Sequence, residues 1–259
     1  MAEPHLITIG VSHYCEKARW ALDRAGVPFV EDAHAPILHY GSTLVRHGQR
    51  TAPILVMREG IFRDSTAILH SADQFVDESK RLFPADQPRG RHVEELEHLF
   101  DRKLGPATRR LAYFHLLEDK QLLRSVLGAR IGGAERLLLR TSLPAIVGVL
   151  RGGLRIDAAR AKKSQRRIEA VFEEVEKRLA RGGRYLIGDR FTAADLTFAA
   201  LAAPVLLPPE YGWPMPSFEQ LSPAMQTVVE RMRGRSAGAF ALRLYREERV
   251  PRAAREPVV

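Results

Sequence analysis

Ser12 and Cys15 stand three residues apart in the stretch "SHYCEKARWAL". Two cysteines at this spacing, at the mouth of a helix, would do dithiol redox chemistry. Here a hydroxyl holds the first place and a thiol the second. A helix beginning near His13 aims unpaired backbone N–H groups and its positive dipole end at Ser12. A hydroxyl in that field can donate a hydrogen bond to a thiolate and so lower the pKa of an incoming thiol. Ser12 would then be a donor and not a nucleophile. The same position also suits a plain N-cap serine. Cys15, one turn into the helix, reads either as a packed core side chain or as a thiol forming mixed disulfides. It is the single cysteine of 259 residues, so no intramolecular disulfide can form.

Three further motifs place polar groups at the ends of elements. In "TAP", Pro53 opens a strand and cannot donate to its ladder. In "RDSTAIL", Ser65 and Thr66 start a helix whose free N–H groups suit a carboxylate, while Asp64 beside them suits an ammonium group. Capping by Asp64 or Ser65 alone is the simpler reading. In "GDRFTAADLTF", Thr192 and Asp195 have capping-box spacing, and Phe191 and Leu196 suit a hydrophobic staple. That motif is structural.

"HLITIG", ahead of Ser12, reads as a strand. Ala18, Ala21, Leu22 and Ala25 follow at helical spacing, with Gly26 as a stop. "VPFVEDA" is a second strand, so the unit is βαβ with parallel pairing and a right-handed crossover. After a loop with a short helix, "APILVM" and "GIFRD" flank the turn "REG" as a hairpin, and "STAILHSADQFV" is helical. Beyond "FPADQPRGR" the periodic segments are helical: "HVEELEHLFDRKL", "LLRSVLGARI", "KSQRRIEAVFEEVEKRLARG", "TAADLTFAALAAPVL" and "MQTVVERMRGR". The expected organisation is an α/β domain over 1–80, a linker over 81–90, an all-α domain over 91–240 and a tail over 241–259.

Composition is that of a globular protein, with 45% apolar and 27% charged residues. "MAEPHLITIG" lacks the pattern of a signal peptide, and the apolar run 198–207 is too short to span a membrane. A soluble cytoplasmic protein is expected. The net charge of +9 is uneven. Residues 1–83 hold 9 Lys+Arg and 10 Asp+Glu, whereas 120–167 hold 12 basic and 2 acidic side chains. That segment reads as a solvated face of snorkelling arginines, or as a contact for acidic ligands or an anionic membrane surface. No zinc-finger spacing, RNA-binding aromatic signature or helix-turn-helix pattern points to nucleic acid or a metal.

Taken in order, "SHYCEKARWAL", "TAPILVMREGIFRDSTAIL" and "YLIGDRFTAADLTFAALAA" resemble the glutathione transferase superfamily over nearly the whole chain. The resemblance implies a thioredoxin-like N-terminal domain, an all-helical C-terminal domain and glutathione as co-substrate. It implies a catalytic role for Ser12 in a bacterial-type enzyme of detoxification that conjugates or isomerises small electrophiles. It also implies a cis peptide before Pro53, with the Ala52 backbone facing the ligand. Asp64 and Ser65 would hold the γ-glutamyl end. Arg50, with Gln49 and the weaker option His39, would serve the glycine end. Homodimers are common in the family. Two alternatives remain: a glutathione-dependent reductase using Cys15, and a non-catalytic protein of the same fold. The second-substrate pocket is expected among 104–127 and the loop "PVLLPPEYGWPMPSF", whose Tyr211 and Trp213 would either lid the pocket or cover the helical core.

Overall fold

The computed structural model describes residues 3–249. The N-terminal domain is built from β1 (His5–Ile9), α1 (His13–Arg24), β2 (Val30–His34), α2 (Tyr40–His47), β3 (Ile54–Met57), β4 (Gly60–Phe62) and α3 (Ser65–Ala72). The strands form one sheet in the order β2-β1-β3-β4. β1 pairs parallel to β2, with Ile7 opposite Asp32, and antiparallel to β3, with Ile7 opposite Ile54. The expected βαβ unit, short helix and hairpin are all present, in a thioredoxin-like arrangement.

The second domain is all helix: α4 (Gln87–Leu99), α5 (Gly105–Leu116), α6 (Lys120–Leu127), α7 (Gly133–Gly153), α8 (Ala158–Leu179), α9 (Ala193–Ala202), α10 (Pro223–Arg233) and α11 (Ser236–Glu248). One π-helical turn, Phe100–Leu104, joins α4 to α5. The stretch expected as linker, 81–90, already enters α4 at Gln87, with Pro88 in its first turn. α11 runs across residue 240, where a tail was expected to begin. The rest of that expected tail, 250–259, lies outside the described residues.

The core centres on α9, which is buried along its whole length and apolar apart from Asp195 and Thr197. Phe198 packs against Phe100, Phe172 and Phe240. α1 is almost as deeply buried. Its Trp20 ring lies 5.9 Å from Phe191 and 4.7 Å from Tyr245, so the helix carrying Ser12 is pressed into the helical domain.

The segment 120–167 forms α6, α7 and the start of α8. Several of its arginines are used locally. Arg136 donates to the Ile131 carbonyl at 3.0 Å, and Arg151 pairs with Glu118 at 3.1 Å. Among the described residues no single helix is long and apolar enough to cross a membrane. α7 begins against the sheet. Glu135 pairs with His34 at 2.9 Å and accepts the Ala35 N–H at 2.6 Å, while Asp32 holds the other His34 nitrogen at 3.2 Å.

Asp195 sits fully buried and accepts from the Thr192 N–H at 2.9 Å, the Thr192 hydroxyl at 2.8 Å and the Leu186 N–H at 2.8 Å. Removing it strands buried donors. Asp195→Ala should therefore cost about 2 kcal/mol or more of unfolding free energy, and a denaturation midpoint equal to wild type would contradict this. His34 is raised to about 9 by its bonds to Asp32 and Glu135, which outweigh burial. A raised cation stabilises fully below its unfolded pKa of ~6.5 and loses that contribution as pH climbs through about 9. The stability gap between wild type and His34→Asn should shrink over that window. A gap independent of pH would show that the pair carries no linkage.

Candidate active site

β1 ends at Ile9, and the chain turns through Gly10 and Val11 into α1. The Ser12 N–H closes the turn on the Ile9 carbonyl at 2.8 Å. Ser12 is the N-cap residue in extended conformation, yet its side chain makes no cap bond. Its hydroxyl is thus not consumed by the helix. It hydrogen-bonds the Cys15 sulfur, a weak acceptor. A rotation about χ1 would redirect it to a better acceptor in front of the helix.

Gly10 is required by its neighbour: a Cβ there would fall 2.2 Å from the Trp213 ring. The Tyr211 hydroxyl donates to the Val11 carbonyl at 3.1 Å, and the Gly212 N–H reaches Glu16 at 3.1 Å. The proline-rich loop therefore braces the turn that presents Ser12. It also contributes Met215 and Pro216 to the wall of a cavity of about 610 Å³. It is a fixed wall, with Tyr211 and Trp213 buried.

That cavity brings together Ser12, Arg50 and Ala52 from the N-terminal domain with a face of α5. The Ala52–Pro53 peptide is cis. His39 lines the cavity too, but its Nε2 is engaged with the Arg50 carbonyl at 3.1 Å. Gln49 is spent on the backbone, donating to Thr51 and Arg63. Pro53, Asp64 and Ser65 lie outside the cavity lining. Asp64 caps α3, accepting the Ala67 N–H at 2.8 Å through one oxygen, and remains exposed.

The neighbours of Ser12 are occupied. His13 donates from Nε2 to the Gly105 carbonyl at 2.9 Å. Burial, helped by the nearby Arg109 charge, lowers its pKa to about 3, so it is a neutral imidazole. The Tyr14 hydroxyl donates to the Asp101 carbonyl at 2.8 Å, and burial holds its pKa above the ordinary range. Both bonds run to the π-helical turn and the start of α5, so that irregular segment anchors the mouth of α1. Cys15 is fully buried. Burial pushes its thiol up to about 11, against the bonds from Ile9 N–H and Ser12 that favour the thiolate. Sequence reading left Cys15 open as a redox thiol; the structure packs it in the core, protonated and without access to solvent.

Comparison with known proteins fits this geometry. The N-terminal domain model of glutathione S-transferases matches residues 6–80, and the C-terminal domain model of the same family matches 157–234. The chain belongs to the glutathione S-transferase superfamily. No curated protein matches it by sequence. Among solved structures it is similar to the beta-etherase LigF from Sphingobium sp. strain SYK-6, at a TM-score of 0.60 and 15% identity, covering 93% of this chain and 99% of that one. It is also similar to the theta class glutathione S-transferase of Xanthomonas axonopodis pv. citri with glutathione bound (TM-score 0.56, 15% identity, 93% and 98% covered). Transferase F2 of Populus trichocarpa aligns with a TM-score of 0.57 at 14% identity, covering 94% and 99%. At these identities the solved structures share the fold alone.

Sequence reading of this superfamily member expected the second-substrate pocket among 104–127 but did not single out the residues of α5 that face it. Arg109, Ala112, Tyr113 and Leu116 all line the cavity, at the i, i+3, i+4, i+7 spacing of one helix side. The spacing was visible, but nothing in the sequence marks which side of a helix faces a cavity and which faces core.

The Cys15 environment makes a direct prediction. Dithiodipyridine should leave the native thiol unreacted for as long as the protein stays folded and titrate it at once in denaturant. Rapid stoichiometric reaction of the native protein would show that Cys15 is reachable after all.

Proposed function

We propose that this protein activates the thiol of glutathione for attack on a small electrophilic carbon. One observation carries the reading: the hydroxyl of Ser12, held by no better acceptor than the Cys15 sulfur, stands beside a large cavity at the N-terminus of a 12-residue helix, while the adjacent His13 and Tyr14 donors are spent on carbonyls. The thiol proton leaves to solvent. The thiolate is held by the Ser12 hydroxyl and the helix field. Its sulfur then bonds the electrophilic carbon, and a leaving group such as chloride departs with the bonding pair. Ser12 forms no covalent bond in this sequence.

Glutathione as co-substrate is supported by the family and by relatives of the same fold solved with glutathione bound. Arg50, which borders the cavity, suits its glycine carboxylate. The N-terminus of α3 suits the γ-glutamyl carboxylate, and the second oxygen of Asp64 suits the ammonium. Exposed Ile61 and Phe75 lie on the N-terminal domain, where a homodimer would cover apolar surface. A cytoplasmic location accords with a chemistry that consumes glutathione. The reductase reading through Cys15 finds no support in a buried, protonated thiol.

Ser12→Ala should lower kcat/KM for conjugation of chlorodinitrobenzene about 10²-fold, with glutathione affinity nearly unchanged by calorimetry. Cys15→Ala should keep turnover. Full activity of Ser12→Ala would remove Ser12 from the mechanism. Glutathione binding without turnover in wild type would favour a binding protein of this fold.

A further inference from the structure

Arg109 opens the cavity-facing stripe of α5, which continues through Ala112, Tyr113 and Leu116. A stripe of this kind on a helix facing an apolar space is ordinarily apolar; here its first member is a guanidinium. The group lies 6.0 Å over the Tyr14 ring, and that ring is fixed by the bond from its hydroxyl to the Asp101 carbonyl. Arg109 therefore stands beside the first turn of α1, on the cavity that Ser12 also borders.

The carboxylates bordering the cavity are engaged: Glu118 with Arg151 at 3.1 Å, and Asp119 with the N–H groups of Gln121 and Leu122, both at 2.9 Å. Among the described residues no carboxylate pairs with Arg109. A guanidinium against an aromatic ring in a largely apolar recess is well placed for a planar anion, which it can bind through two parallel N–H bonds. Arg50, the other cation bordering the cavity, comes from the N-terminal domain and has already been given to glutathione. Tyr113, one turn on, offers a ring to an aromatic body; burial has raised its phenol to about 12, so it stays neutral and adds no competing anion.

We propose that Arg109 receives a carboxylate on the second substrate, so that the site selects acidic aromatic electrophiles over neutral ones. This rests on the transferase reading of the same cavity. Arg109 is here a specificity residue, and it takes no part in activating the thiol.

The test uses a matched pair, a chloronitrobenzoate and the corresponding chloronitrobenzamide with chlorine para to the carboxyl carbon. Each rate is divided by its uncatalysed rate with glutathione. Wild type should prefer the acid by about tenfold or more in kcat/KM, as expected for one charge-assisted pair. Arg109→Met, which keeps the apolar stem, should bring the ratio near one, mainly through KM for the acid; Arg109→Lys should retain part of it. Because the ratio is taken within each variant, partial misfolding does not alter it. A wild-type ratio near one overturns the proposal. So does an Arg109→Met variant that slows both substrates alike and keeps the ratio, since Arg109 would then serve the thiolate or the fold. If glutathione binds but neither compound turns over, calorimetry with S-(carboxybenzyl)- and S-(carbamoylbenzyl)glutathione reads the same ratio, and equal affinities overturn it. Absence of glutathione binding would instead remove the transferase reading itself, and this inference with it.

Discussion

Glu16, Lys17 and Arg19 lie on α1 without reaching solvent, and each is paired with groups from elsewhere in the chain. Arg19 bonds Glu31 of β2 at 2.7 Å and the Gly10 carbonyl at 2.7 Å. Glu16 receives Arg249 at 2.8 Å, and Arg249 also holds Asp23 at 2.8 Å. Lys17 pairs with Glu97 of α4 and with Asp101 of the π-helical turn, where Thr66 of α3 joins the cluster. Buried charges of this kind add little net stability, but removing one partner strands the other at a cost of about 3–5 kcal/mol. Their effect is positional. α1 can sit in only one place, because any shift would leave several charges unpaired at once.

The site follows from that seat. With α1 fixed on its flanks by charge and at its mouth by His13 and Tyr14, the Ser12 backbone and the first turn of the helix are held in one place beside the cavity, and a χ1 rotation carries the hydroxyl from the Cys15 sulfur to that side. A donor on a backbone held this way needs only a side-chain rotation when a thiolate arrives. The helical domain supplies more than a second wall. Through Arg249, the Glu248 carbonyl bonded by Trp20 at 3.1 Å, and Trp213 against Gly10, it locks the segment that carries the chemistry.

Much of this was legible in the sequence. Short apolar runs, helical spacing and the turn "REG" marked the βαβ unit and the hairpin, because each of these signals is local. The capping box at Thr192 and Asp195 was legible because its residue types have few other uses at that spacing. α7 was harder to see: Pro144 and its glycines break the usual helical signature, though tertiary packing of Leu139, Leu143, Ile146 and Leu150 sustains it. α11 begins with small residues, and its role depends on partners more than two hundred positions away. The same distance hid the charge network, since nothing within α1 shows that α4 and Arg249 close over Glu16, Lys17 and Arg19. Ser12 was readable from its place before a helix. Arg109 was not, because an arginine on a helix is by default a solvated one.

The central claim is that Ser12 at the mouth of α1 stabilises a bound thiolate. Its most direct test is a pH titration of thiolate absorbance in the glutathione complex, compared between wild type and Ser12→Ala. The account predicts a wild-type midpoint at least about one unit below the ordinary thiol value of ~8.5, returning most of the way in the variant. A midpoint near the ordinary value in wild type, or a lowered midpoint that survives the loss of the hydroxyl, would contradict it.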